Sequence, residues 1–193
     1  MRFRTEIIVH GFGNVPDSVL MTLIPVLKDR FRLDASIGTR LPIPPNAYDR
    51  VRDQYLSTDF LELMQERFRS DSNIHLGVAD VDLYVPDLAF VFGEASPATW
   101  TAVFSIARLL PGADEEEAAT SELLRQRASV EAVHELGHVL GLAHCPNPRC
   151  VMWFSNQVED TDRKGNQFCK AHRKEIDSLL SEWNAQAPPH FHY

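Results

Sequence analysis

The sequence predicts a mixed α/β fold, a sheet covered by helices with a small cysteine-rich lobe at the carboxyl-terminal end. Three observations carry this. Apolar, β-branched runs alternate with helical patterns along the first 109 residues, the order that gives a sheet with helices on it. A long helical pattern follows and stops at a glycine, Gly141. Beyond it the composition shifts: residues 144–172 hold all three cysteines, two prolines and few aliphatics, too little to build a core alone.

The elements follow in order. Phe3 to Val9 reads as a strand, broken by Gly11, Gly13 and Asn14. Pro16 and Asp17 open a helix to about Phe31, with Pro25 as a kink. Ala35 to Arg40 is a second strand, and residues 41–49, with Pro42, Pro44 and Pro45, form a loop. Thr58 caps a helix to about Arg69 whose apolar side is Phe60, Leu61, Leu63, Met64 and Phe68. Ile74 to Val85, Leu88 to Phe92 and Trp100 to Leu109 are three more strands. Asp114 caps the long helix, placing Glu115, Glu116 and Glu117 in its first turn, where the helix dipole favours negative charge. Lys174 to about Trp183 is a closing helix, and Pro188 and Pro189 begin a mobile tail.

Length and composition set the outer bounds. The chain has 193 residues, enough for one domain with a sizeable core, or one domain plus a small appendage. Its net charge of −8 argues against a nucleic-acid binder, which carries a basic face. No apolar run approaches the roughly 18–20 residues that span a bilayer, so no membrane partner is expected. After Met1-Arg2-Phe3-Arg4 the chain turns apolar only briefly, too briefly for a signal peptide, which leads us to expect a cytoplasmic protein. A reducing cytoplasm disfavours disulfides, and three cysteines cannot all pair, so the thiols are core residues or metal ligands.

The chemistry lies in His134-Glu135-Leu136-Gly137-His138. On a helix, positions i and i+4 share one face, so both imidazoles can reach one metal at about 2.0–2.1 Å. Glu135 sits where it can reach a water on that metal rather than the metal itself. Gly141 comes three residues after His138 and His144 three after that. A glycine turn would stop the helix and bring a third nitrogen up from below. Three protein ligands leave one position open, as in a catalytic zinc site. Zinc would then lower the pKa of its water, with Glu135 as general base in the hydrolysis of a peptide bond. The histidines bind metal only when neutral, so activity is expected to fall below about pH 6. The plain alternative is three histidines packed in a core.

Cys145 and Cys150, then Cys169 and His172, form C-x4-C followed by C-x2-H, the pattern of a closed Cys3His structural zinc site. The alternative is free core thiols with His172 there by chance.

With these residues in hand, the chain resembles the archaemetzincin family of metzincin zinc metallopeptidases. The resemblance is carried by HELGHVLGLAHC, by Cys150-Val151-Met152 and by Phe168-Cys169, with GVADVDLYVP (Gly77 to Pro86) and FVFGEA (Phe90 to Ala95) upstream. It covers most of residues 74–176. It implies the metzincin, or zincin, fold: a twisted, mostly parallel five-stranded sheet with an antiparallel edge strand, an active-site helix and a smaller lower lobe. The single domain would divide at about residue 141, with 1–141 as upper lobe and 142–193 as lower. Met152 would be the Met-turn residue beneath the histidines, and Leu88 to Phe92 the antiparallel edge strand, to which a substrate could add as a further strand. Two zinc ions per chain are implied, one catalytic and one structural, with a peptide or protein as substrate. Two departures stand out. The family's last pair is usually CxxC, where this chain has His172. Some metzincins carry a tyrosine two residues after the methionine, where this chain has Phe154.

Other residues carry less. His10 and His75, in or beside strands, read as core or surface residues. His190 and His192, in the tail, read as bystanders, with adventitious metal binding as the alternative. Asp80 and Asp82 are structural or solvated. Trp153 and Phe154 either wall a substrate pocket or fill core. Two rival functions remain: a catalytically silent peptide- or protein-binding module on the same fold, which has no need of Glu135, and a scaffold with only the Cys3His site loaded.

Overall fold

The computed structural model describes residues 5–110 and 117–186. Its main sheet contains β1 (Glu6–Phe12), β2 (Asp34–Ile37), β5 (Ile74–Ala79), β7 (Gly93–Ser96) and β8 (Thr101–Ser105), in the order β2-β1-β5-β8-β7. The first four are parallel, and β7 runs antiparallel to β8 at the edge. A second, three-stranded sheet joins β3 (Tyr48–Asp49), β4 (Gln54–Leu56) and β6 (Leu83–Tyr84).

Every residue of β5 and β8 is buried, as parallel strands covered on both faces must be. Their side chains alternate between two cores. Ala102 and Phe104 join the core under α1 (Asp17–Phe31) and α3 (Glu117–Val139); Val103, between them, faces α2 (Ser57–Arg67) with Phe12, Phe60 and Met64. The larger core runs without a break from Ile7 to Ile176 and Leu180 in α5 (Lys170–Gln186). Arg30 of α1 grips the carbonyl of Asn166 at 2.8 Å, which ties the cysteine-rich part to the sheet. No described helix is long and apolar enough to cross a membrane.

The mixed α/β class, the mostly parallel five-stranded sheet and its antiparallel edge agree with expectation. Several details do not. The first strand runs through Gly11 to Phe12, because β1 keeps pairing with β5 until Gly13, at φ 72°, turns the chain. The strand expected over Ile74 to Val85 stops at Ala79. Asp80 accepts the Asn14 amide and Asp82 binds Arg108 and Gln54, so the chain leaves the main sheet there. The edge strand is Gly93–Ser96, not Leu88 to Phe92. The carbonyls of Leu88 and Ala89 accept from Arg52 and Gln54 side chains instead of a neighbouring strand; backbone pairing begins at Val91, which bridges to Leu83, and at Phe92, whose carbonyl accepts the Ser105 amide of β8 at 2.8 Å. Ser57, not Thr58, starts α2; the Thr58 hydroxyl donates to Glu94. Trp100, at φ 59°, closes the β7–β8 turn, so β8 begins after it. The closing helix starts at Lys170, and α4 (Val158–Lys164) was not expected. Asp114, Glu115, Glu116 and the tail with His190 and His192 lie outside the described residues.

Candidate metal centre and catalytic cleft

Helix α3 carries His134, Glu135 and His138 on its last two turns. Nδ1 of His134 pairs with the Val151 carbonyl at 2.7 Å, and Nδ1 of His138 with that of Leu142 at 2.8 Å. Each carbonyl can only accept, so the proton sits on Nδ1 and Nε2 is left with a free lone pair. The two Nε2 atoms lie 3.2 Å apart, close to the edge of about 3.3 Å that tetrahedral zinc with 2.0–2.1 Å bonds requires.

Gly141 ends the helix at φ 96°, and the Leu142 amide reaches back to the Gly137 carbonyl at 3.0 Å. No atom lies within 4 Å of where a Cβ on Gly141 would stand, so the backbone turn, not space, calls for glycine. The turn brings His144 to the other two, with all three donor atoms within 4.8 Å of one another. Met152, fully buried, packs beneath the helix between the first two histidines: a Cβ on Gly137 would lie 2.4 Å from its Sδ.

Burial, first, and the nearby Lys164 ammonium hold the His134 pKa well below the usual imidazole value; burial also lowers His138 and His144. All three are therefore neutral, the form that binds a cation. Glu135 is 5% exposed, and burial, reinforced by Glu131, raises its pKa well above the carboxylate norm, making it a stronger base than a solvated glutamate. Gly93 of β7 lies against it: a Cβ there would fall 2.6 Å from Oε1 of Glu135.

The second cluster begins one residue after His144. Cys145 and Cys169 Sγ are 4.0 Å apart, and Nδ1 of His172 lies 3.5 Å from Cys150 Sγ and 3.4 Å from Cys169 Sγ. Tetrahedral zinc with bonds of about 2.3 Å to sulfur has edges of about 3.8 Å between sulfurs, so the four donors fit. The thiols are unpaired. Burial pushes Cys150 up to about 11; it works against Cys169 too, but hydrogen bonds from His172 and Cys150 outweigh it there and bring that thiol to about 6.

Comparison with known proteins supplies the family. Residues 3–178 match the model of Peptidase family M54. The archaemetzincin of Pyrococcus furiosus is 41% identical over 92% of this chain and 95% of its own. That of Methanocaldococcus jannaschii is 39% identical over 89% and 92%. This chain belongs to the archaemetzincin family. It is a zinc metallopeptidase, a hydrolase of peptide bonds. Among solved structures, the Methanopyrus kandleri archaemetzincin superposes with a TM-score of 0.79 at 31% identity, covering 94% of this chain and 98% of that one. A zinc-dependent peptidase from Methanocorpusculum labreanum gives a TM-score of 0.76 at 27% identity, covering 88% and 99%.

The archaemetzincin cleft, about 770 Å³, opens between the 85–97 segment and the histidines. Leu88, Phe90 and Phe92 line its roof. Phe154, 44% exposed, stands on the floor with its ring 5.0 Å from that of His144, so it walls the pocket, whereas Trp153 does not line it. His10 and His75 lie far from this in sequence and in partners. They are buried and share a contact of 3.0 Å, stacked with Phe68.

Two residues on the cleft floor escaped the sequence reading. Lys164, at the end of α4, is fully buried and pairs with Glu131 of α3 at 3.2 Å. Glu131 was legible in principle, since it lies one helical turn before Glu135 on the same face. Lys164 was not, because α4 gave no apolar period to place it.

Proposed function

We propose that His134, His138 and His144 hold the catalytic zinc and that Glu135 is the general base. The 3.2 Å spacing of the two helix Nε2 atoms, with both Nδ1 protons committed to carbonyls, supports this most strongly. When bound, zinc supplies a Lewis acid for the substrate carbonyl and the attacking water. Glu135, buried and basic, takes the proton of that water on a carboxylate oxygen and returns it to the leaving amine. The free side of β7 offers backbone donors and acceptors to an extended peptide, and Gly93 lets that strand lie directly against Glu135. Met152 supports the two helix histidines from below and Gly141 turns the chain to the third.

Cys145, Cys150, Cys169 and His172 hold a second zinc that stiffens the lower lobe, giving two ions per chain. Histidine serves in the place where the family usually has cysteine, since its Nδ1 sits within reach of two of the sulfurs. We read the chain as one domain, with an upper part to about residue 141 and a lower part of 142–193, because a single apolar core passes through both. Three thiolate ligands need a reducing compartment, which favours the cytoplasm. The substrate is a peptide or protein; the net charge of −8 disfavours nucleic acid.

Incubating zinc-loaded protein with a mixed peptide library, alongside Glu135→Ala and a chelated sample, tests the assignment. Cleavage by the wild type and neither control is expected. Undiminished cleavage by Glu135→Ala would remove Glu135 from its role.

A further inference from the structure

A buried ion pair behind the histidines touches neither the attacking water nor the substrate in the mechanism above. The Lys164 side chain has no exposure and Glu131 is 2% exposed. Burying two such charges is costly, and an apolar pair of similar volume often serves stability as well or better. The α3–α4 contact does not depend on it either. Arg127 and Asp162 already join the helices by two contacts of 2.8 Å each.

What distinguishes the pair is where the ammonium lies. Nζ of Lys164 is 3.4 Å from Nδ1 of His134 and 3.3 Å from the Trp153 carbonyl oxygen. Nδ1 of His134 already donates to Val151, so it has no lone pair for Lys164. The contact places a positive charge against the back of an imidazole whose front nitrogen faces the other histidines. Glu131 keeps it there, its Oε1 also accepting from the Thr161 hydroxyl at 3.0 Å.

We propose that Lys164, held by Glu131, is a positioning residue that sets how tightly the histidine triad holds its metal. The ammonium opposes the cation across one imidazole ring, and the Glu131 carboxylate limits that opposition. This rests on the reading that the triad binds zinc. A full charge removed at such a range changes the affinity for a divalent ion by roughly tenfold or more, even with strong dielectric screening.

Charge is the variable that separates this role from a structural one. Lys164→Gln keeps a donor for Glu131 and Trp153 but removes the charge; Glu131→Gln removes the opposing one. The full chain is loaded with zinc and its release into a chelator is followed at constant pH, with His144→Ala identifying the phase that belongs to the triad. Triad zinc should be held roughly tenfold more tightly in Lys164→Gln and roughly tenfold less tightly in Glu131→Gln, with the cysteine-site phase unchanged in both. Loosening in both variants, as a structural pair would give, or no change in either, overturns the proposal. If Lys164→Gln does not fold, Lys164→Met takes its place. Failure of both to fold, with Glu131→Gln holding triad zinc as the wild type does, assigns the pair to stability alone and overturns it too. A wild type with no triad zinc would instead remove the reading beneath it.

Discussion

His144 and Cys145 are neighbours in the chain, yet each belongs to a different group of candidate metal ligands. His144 is exposed and completes a set of three neutral nitrogens at the floor of an open cleft. Cys145 is buried and belongs to a set of four donors with no free position. Number of donors and access together separate a reaction centre from a staple. The difference also explains why the two sit so close. A segment with few aliphatic residues carries His144, Met152 and Phe154, and Cys145 and Cys150 add to the apolar core that buries Met152 there.

The largest effect that can break this comparison lies in the open site. Glu135→Ala should lower kcat by about 10²–10⁴-fold while zinc content stays that of the wild type, by metal analysis alongside peptide turnover. The closed site should respond in stability instead. Cys150→Ser should lower Tm by roughly 10–20 °C, about 5 kcal/mol in a chain of this size, and a thermal scan with and without chelator checks it.

Acid should separate the two functions of the open site. The raised Glu135 pKa means the base gains its proton early as pH falls, whereas the lowered histidine pKa values mean that protons displace zinc only well below pH 6.5. Activity should therefore fall first with zinc still bound, and the metal should leave at lower pH. This shifts metal loss to a more acidic range than an ordinary histidine would give. Zinc content and turnover measured on the same samples across pH 4–8 decide it.

Gly93→Ala is a finer probe. The three atoms nearest its Cβ would all belong to Glu135, so kcat should fall about tenfold with KM and zinc affinity little changed. The smallest effect lies away from both clusters. Burial, with His10 beside it, lowers the His75 pKa to about 4. Between about 6.5 and that value the unfolded chain binds the extra proton. Stability is therefore full above pH 6.5 and declines as pH falls towards 4, and His75→Phe should flatten that decline in urea titrations.

What the sequence disclosed follows from where the physics is local. The two helix histidines share a face by period alone, Gly141 announces its turn by having no side chain, and the four Cys and His donors are two short pairs. The sheet was legible for the same reason, since buried runs such as Ile74–Ala79 and Thr101–Ser105 can be little else. The errors came where side chains replace backbone pairing. Leu88–Phe92 is as apolar as a strand, but Arg52 and Gln54, more than thirty residues away, take the carbonyls of Leu88 and Ala89. Gly93–Ser96 shows no strand-like period, yet pairs with β8. Lys164 is the furthest case, a charged residue on a short polar helix whose full burial depends on Glu131 and on the turn after Cys150.

The most direct test of two adjacent residues serving two sites is zinc content per chain in the wild type and in His144→Ala. The account predicts two ions in the wild type and one in the variant, which stays folded and loses turnover. One ion in the wild type, or loss of both ions and of the fold on replacing His144, would contradict it.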